Sequence, residues 1–167
     1  MLHNNIREKV ENKILESYES MYRIAFSYVK NADDALDVVQ DSAYKAMKNA
    51  VSVKKEQYIE TWIYKIVINC AIDFMKKNRK EVLTDIPEEL GHPSTTDTYQ
   101  DFDTIQALDV LNEKERAIVI LRFFEEKKLE EIALILNMNL STTKSMLYRS
   151  LKKLKTELKR EELNYEG

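Results

Sequence analysis

The segment LEEIALILNMNLSTTKSMLYRSL, residues 129–151, decides the fold of the second half of the chain. Leu129, Ile132, Ala133 and Leu136 recur at i, i+3, i+4 and i+7, the spacing of a short helix with one buried stripe. Asn137-Met138-Asn139 interrupts the pattern, and Asn is the best non-glycine residue for a left-handed helix stop. Ser141 is predicted to cap the helix that follows. There Leu147, Leu151, Leu154 and Leu158 make a second buried stripe, while Ser145, Tyr148, Arg149 and Lys152 share another face. From Ser141 to Arg160 there are seven basic residues and one acidic residue, Glu157. A helix, a tight turn and a basic second helix suit entry into the DNA major groove. Lys and Arg meet phosphates there, and Thr142, Thr143, Lys144 and Ser145 at the helix start reach base edges. The charges alone would favour a solvated basic face on a helical bundle; the placement of Ala133 and Asn137 favours the helix-turn-helix.

Working outward, helices are predicted over Asp103–Leu111 and Lys114–Phe124, giving this block four helices. The stretch from Glu81 to Asp103 holds seven acidic residues, no Lys or Arg, both prolines (Pro87, Pro93) and Gly91. That composition predicts a flexible acidic linker and a domain boundary, the alternative being a surface loop within one domain. The linker also explains the formal net charge of −3: without its seven acids, 26 basic residues face 22 acidic ones. Two mildly basic blocks are therefore separated by an acidic connector.

The first block, Asn5 to Arg79, reads as helices over Ile6–Val29, from Asp33-Asp34 to Asn49, and from Glu60 onward. Leu36, Val39, Ala43 and Met47 make one stripe of the second helix. In the third, Ile63, Ile66, Val67, Cys70 and Phe74 lie on one side and Ile68, Ile72 and Met75 on another, so neighbours should pack on two faces. Two glycines and two prolines in 167 residues, with 44% hydrophobic content, predict an all-α protein with a buried core. The predicted division is residues 1–80, a linker over 81–103, and residues 104–167.

Several function classes are disfavoured. A single cysteine, Cys70, permits no internal disulfide and fits a reducing compartment. The charged N-terminus does not read as a signal peptide, and the apolar runs are too short to cross a bilayer, so a cytoplasmic location is expected. His3 and His92 are far apart in sequence, which makes a zinc site unexpected, and no nucleophile–base pair is visible. Neither catalysis nor a cofactor nor a small-molecule ligand is expected. Asp37, Asp41, Tyr44 and Lys48 fall at i, i+4, i+7 and i+11 on one helix face. Paired aspartates there could serve acid–base chemistry or a metal, but with no His or Cys beside them a solvated or protein-binding face is favoured. Asn69 and Asp73, short polar residues on an apolar helix that ends in Lys76, Lys77, Arg79 and Lys80, either satisfy local structure or read bases. Taken alone, the pair favours the structural role.

Together these residues resemble a known family. Ala35-Leu36-Asp37-Val38-Val39-Gln40-Asp41, then Thr61-Trp62-Ile63-Tyr64-Lys65-Ile66 with Asn69 and Asp73, resemble domain 2 of extracytoplasmic-function (ECF, group 4) RNA polymerase sigma factors of the sigma-70 family. Leu121-Arg122-Phe123-Phe124, Leu129-Glu130-Glu131-Ile132-Ala133 and Thr143-Lys144-Ser145 resemble their domain 4. Ala25-Phe26-Ser27-Tyr28-Val29-Lys30-Asn31 is similar to the sigma-V type within that group. The resemblance implies two small helical domains, a sigma domain 2 bundle and a sigma domain 4 helix-turn-helix. It implies core RNA polymerase (β′ clamp helices and β flap), promoter DNA and an anti-sigma factor, often membrane-bound, as partners. Asp37, Gln40, Asp41 and Tyr44 match the polymerase-binding face. The 49–59 loop matches the one that captures a flipped base, and Tyr64, Asn69, Asp73, Lys76 and Lys77 match the helix that reads the −10 element. Thr142, Thr143, Lys144, Ser145, Tyr148, Arg149 and Lys152 match the helix that reads the −35 element. Thr142 and Thr143 stand where the family usually has Gly and Val, and Asn112 stands where Pro often opens a helix. A stand-alone helix-turn-helix regulator is the alternative; it would usually need a two-fold dimer, and no heptad run is evident.

Overall fold

The computed structural model describes residues 2–84 and 105–166. Two compact units divide between His92 and Pro93. Among the described residues the regular structure is entirely helical, and no helix is long and apolar enough to cross a membrane.

The first unit consists of α1 (Leu2–Glu16), α2 (Tyr18–Val29), α3 (Ala32–Lys48) and α4 (Ile59–Thr84). Two 3-10 turns, Ala50–Ser52 and Glu56–Tyr58, join α3 to α4. Where a single helix was predicted over Ile6–Val29, the chain bends at Ser17, whose φ of −97° and ψ of 5° leave the helical region. The bend disturbs little hydrogen bonding. Ser17 N–H still donates to the Lys13 carbonyl at 2.9 Å, and Met21 N–H to the Ser17 carbonyl at 2.8 Å. The buried series Val10, Ile14, Ser17, Met21, Ile24 and Tyr28 runs straight through it, so no cap or breaker marks the place.

Lys30, at φ 58°, closes α2 in the left-handed conformation and donates its N–H to the Phe26 carbonyl at 2.8 Å. The Asn31 side chain then caps α3 by accepting the Asp34 N–H at 3.0 Å, so this helix opens at Ala32, slightly before its predicted start. α4 packs on α1, α2 and α3. It buries Ile63, Val67 and Cys70 on one flank and Tyr64, Ile68 and Ala71 on the other, as two-sided packing requires. Its backbone continues to Thr84, past the predicted end at Lys80. The remainder of the predicted linker, from residue 85, lies outside the described residues, as does the start of the helix predicted from Asp103.

In the second unit a 3-10 turn, Leu108–Val110, precedes α5 (Glu113–Val119), which widens into a π-helical turn over Ile120–Phe124. An unbroken α-helix was predicted there. Glu125 N–H instead reaches the Ile120 carbonyl at 3.1 Å, and Lys127 N–H reaches that of Leu121 at 2.9 Å, with Glu126 left-handed at φ 54°. α6 (Leu129–Ile135) and α7 (Leu140–Glu166) follow. All residues from Glu115 to Leu121 are buried, and α5 and α6 both pack against α7. Leu158, predicted to extend the buried stripe of α7, is 48% exposed. α5 and α6 have only seven residues each against 27 in α7, so their few turns cannot cover its distal part.

Candidate nucleic-acid and protein interfaces

Asp37, Gln40, Asp41 and Tyr44 lie exposed together on α3. Tyr44 keeps 65% of its surface in solvent, and the Lys48 ammonium sits 6.0 Å from its ring centroid. The Asp41 carboxylate pairs with Lys45 at 3.2 Å. Near the start of the same helix, burial first, then the charges of Asp37 and Asp33, push the Asp34 carboxyl above its ordinary value. Apart from Lys45 and Lys48 of the same helix, this acidic face with its exposed aromatic lies open to solvent. Its make-up fits a protein-docking surface better than a catalytic pair.

Around the corner from that face, the end of α3, the first 3-10 turn and α4 enclose an open cavity of about 330 Å³. Lys45, Asn49, Ser52, Trp62, Ile66, Asn69, Cys70 and Asp73 line it. The Asn49 amide donates to the Lys45 carbonyl at 2.9 Å and the Ser52 hydroxyl to the Asn49 carbonyl at 2.6 Å, fixing the rim. Lys45 reaches the Cys70 sulfur at 3.5 Å. Burial raises the Cys70 thiol, while the hydrogen bond to Asp41 and then the nearby Cys70 raise Lys45, so the wall carries a neutral thiol and a charged amine. Indole and isoleucine faces with amide, hydroxyl and carboxylate edges match a flat heteroaromatic ring. Asn69 and Asp73, for which a local structural role was favoured, are exposed and both face this cavity.

Lys76 and Lys77 continue along α4 as exposed cations. Tyr64 does not join them. It is 4% exposed, on the flank it shares with Ile68 and Ala71, and the predicted nucleic-acid contact at this position is withdrawn. The spacing held the signal: Tyr64 stands one helical turn before Ile68, so it belongs to the apolar stripe.

In the second unit Asn137 is left-handed at φ 55°, as predicted, and Met138 N–H closes α6 on the Ala133 carbonyl at 2.9 Å. The cap of α7 is Asn139 and not Ser141. The Asn139 side chain accepts the Thr142 N–H at 2.7 Å, and its carbonyl accepts the Thr143 N–H at 3.0 Å. Ser141 is exposed inside the first turn. Thr142, Lys144, Ser145, Tyr148, Arg149 and Lys152 are all exposed on α7. Thr143 is fully buried, with its hydroxyl donating to the Asn139 carbonyl at 2.8 Å, so it cannot present that group to a base. It lies four residues before Leu147 and continues the buried stripe.

Sequence reasoning missed Glu115. Its enclosed carboxylate accepts the Asn112 N–H at 3.0 Å, while the Asn112 side chain accepts the Glu115 N–H at 2.9 Å. This reciprocal pair supplies the helix start that a proline would otherwise give, and the Asn-x-x-Glu spacing was its signal. Lys153 at 2.9 Å and Arg149 at 3.4 Å reach the same carboxylate from α7. Burial alone would raise this group; the Asn112 N–H, Lys153 and Arg149 outweigh it and hold the carboxyl below its ordinary value. Of the cavity wall, Asn49 and Ser52 fall in the loop the resemblance pointed to, whereas Lys45 and Cys70 had no signal as cavity residues, because only the fold brings the end of α3 against α4.

Comparison with known proteins matches both units. Residues 14–81 match the family described as Sigma-70 region 2, and residues 102–154 match Sigma-70, region 4. The chain is 45% identical over 152 residues to RNA polymerase sigma factor SigV of Bacillus subtilis (strain 168), covering 90% of this chain and 92% of that protein. It is 25% identical to ECF RNA polymerase sigma factor SigW of the same organism, covering 84% of each. Among solved structures it is similar to the sigma factor RpoE in complex with the anti-sigma factor NepR from Bartonella quintana, with a TM-score of 0.72, 25% identity, and coverage of 89% of this chain and 96% of that one. CnrH in complex with the cytosolic domain of CnrY shares the fold, with a TM-score of 0.69, 16% identity, and coverage of 92% and 97%.

Proposed function

The chain belongs to the extracytoplasmic-function group of sigma-70 RNA polymerase sigma factors, and from that premise we propose how its two units divide promoter recognition. It is an alternative sigma factor that binds core RNA polymerase and directs it to promoters. It acts without catalysis of its own, in the cytoplasm, under the control of an anti-sigma factor.

The Asp37, Gln40, Asp41 and Tyr44 face docks on core polymerase. The cavity beside it takes an unpaired base of the −10 element, with Trp62 and Ile66 against the ring and Asn69 and Asp73 at its edges. Lys76 and Lys77 follow the phosphates. Extruding a base costs a few kcal/mol, and stacking in a protein pocket returns about 1–3 kcal/mol per base. The second unit lays α7 on the −35 duplex through Thr142, Lys144, Ser145, Tyr148, Arg149 and Lys152. Each contact alone is weak, and polymerase joins them into one high-avidity grip.

The observation that carries this reading over a stand-alone helix-turn-helix regulator is the cavity. A duplex-reading regulator has no use for a ring-sized polar pocket in a separate unit. The test is reconstitution with core RNA polymerase and mapping of transcript starts across the source genome. A shared −35/−10 pair upstream of the starts supports the reading. Tight binding to paired half-sites as a dimer, without polymerase, would move the protein to the regulator class.

A further inference from the structure

The segment that joins α3 to α4 is held at both of its 3-10 turns by α1. At the first turn, α1 packs directly on Ala50–Ser52, and Ala50 is fully buried. At the second, Lys9 of α1 pairs with Glu56 at 2.6 Å, and Lys13 approaches Glu60, at the start of α4, at 3.9 Å. Between these attachments α1 and residues 55–60 leave an open groove of about 820 Å³, in whose lining Ile59 is the one apolar residue. Lys54, Lys55, Gln57 and Tyr58 are exposed there. Buried Ile59 anchors the end of the second turn, and the exposed residues before it are held to α1 by the Lys9–Glu56 pair.

On the reading of this loop as the base-capturing one, we infer that α1 tunes the −10 base selectivity of the protein, with the Lys9–Glu56 pair as the positioning contact. Glu56 anchors the turn that leads into α4 and Trp62, and Ser52 at the other turn stands on the cavity rim. Freeing Glu56 lets the loop sample wider openings, which a snug base and a poorly fitting base then enter with more equal ease. Neither Lys9 nor Glu56 lines the cavity itself. An exposed pair of this kind contributes modestly, so the expected change is a fine adjustment of preference and not a loss of binding.

The experiment uses holoenzyme assembled from core RNA polymerase and the full chain, transcribing a promoter library randomised across the −10 element. Lys9→Glu and Glu56→Lys should each reduce the strongest base preference about two- to fivefold, and the double reversal should restore it. High salt should bring the wild-type preference toward that of the single variants, because screening weakens the pair while common phosphate contacts cancel in the ratio between bases. Wild-type preference in both single variants would overturn the inference, as would a double variant that stays as unselective as the singles. Trp62→Ala serves as the reference for the cavity. If it flattens the preference and the charge reversals do not, the base pocket stands and the role of α1 falls. If Trp62→Ala leaves every preference intact, the base pocket falls and the role of α1 with it.

Discussion

Arg149 Nε lies 3.4 Å from a carboxylate oxygen of Glu115, so an exposed side chain of the second helix of the helix-turn-helix is tethered to an enclosed acid on another helix. The other oxygen of that carboxylate takes the Asn112 N–H at 3.0 Å and the Lys153 ammonium at 2.9 Å. One buried charge therefore caps α5 and fixes two cations along α7. An arginine held through Nε has fewer rotamers to lose on binding, which under the proposed −35 role favours a defined register on the duplex.

Replacing Glu115 by Gln should destabilise the second unit by about 1–3 kcal/mol, the loss of charge-assisted hydrogen bonds and part of a cap. The pH dependence has a definite sign. Because the folded carboxyl sits below its ordinary value of 4.5, its stabilisation is complete above that value and is lost as pH falls through the folded one. Thermal unfolding of the wild type against Glu115→Gln should show the two converging as the solution is acidified. A gap that stays constant through the acid range would show that the charge is not what stabilises.

Thr143→Val should leave promoter selectivity unchanged and cost less than about 1 kcal/mol. The buried hydroxyl is lost, but the Asn139 carbonyl keeps the Thr143 N–H at 3.0 Å. Arg149→Ala, one face away, should weaken −35-dependent transcription severalfold while polymerase binding stays intact. Transcription from promoters varied in the −35 element, together with a polymerase-binding measurement, separates the two; a selectivity change in Thr143→Val would return that residue to the contact set.

These two threonine and arginine positions show what was legible before the fold was known. The helical class, the two blocks and the turn at Asn137 follow from periodicity and composition, and the structure agrees with each. The resemblance misled at Tyr64 and polarity at Thr143: each stands one turn before a core residue, and both are buried. The cap fell to Asn139 because its side chain reaches Thr142 N–H at 2.7 Å, a choice between neighbouring cap-forming residues that composition cannot make. The bend at Ser17 left no trace because its hydrogen bonds and buried stripe continue across it. The cavity was half legible, its α4 wall through Asn69 and Asp73; its α3 wall depends on tertiary packing.

Asn137→Ala should destabilise the helix-turn-helix by about 1–2 kcal/mol, since a side chain at φ 55° strains the backbone that Asn tolerates. Asn137→Gly should be neutral or slightly stabilising at the same position. Chemical denaturation of both variants tests the pair. Equal losses would show that the Asn side chain, and not its backbone freedom, matters there.

Asp37→Arg and Asp41→Arg should each weaken binding to core RNA polymerase at least about tenfold, because each places a cation where the docking face is acidic. Their effects on the cavity should differ. Asp41 pairs with Lys45 at 3.2 Å, and Lys45 reaches the Cys70 sulfur at 3.5 Å on the cavity wall. An arginine at 41 repels Lys45 and disturbs that wall, whereas Asp37, among the described residues, makes no bond to a residue of the cavity. In holoenzyme assembled at saturating concentration, Asp37→Arg should therefore open promoters as the wild type does, and Asp41→Arg should open them more slowly. Equal opening rates would confine Asp41 to docking, and unchanged affinity for core polymerase in both variants would remove this face of α3 from the interface.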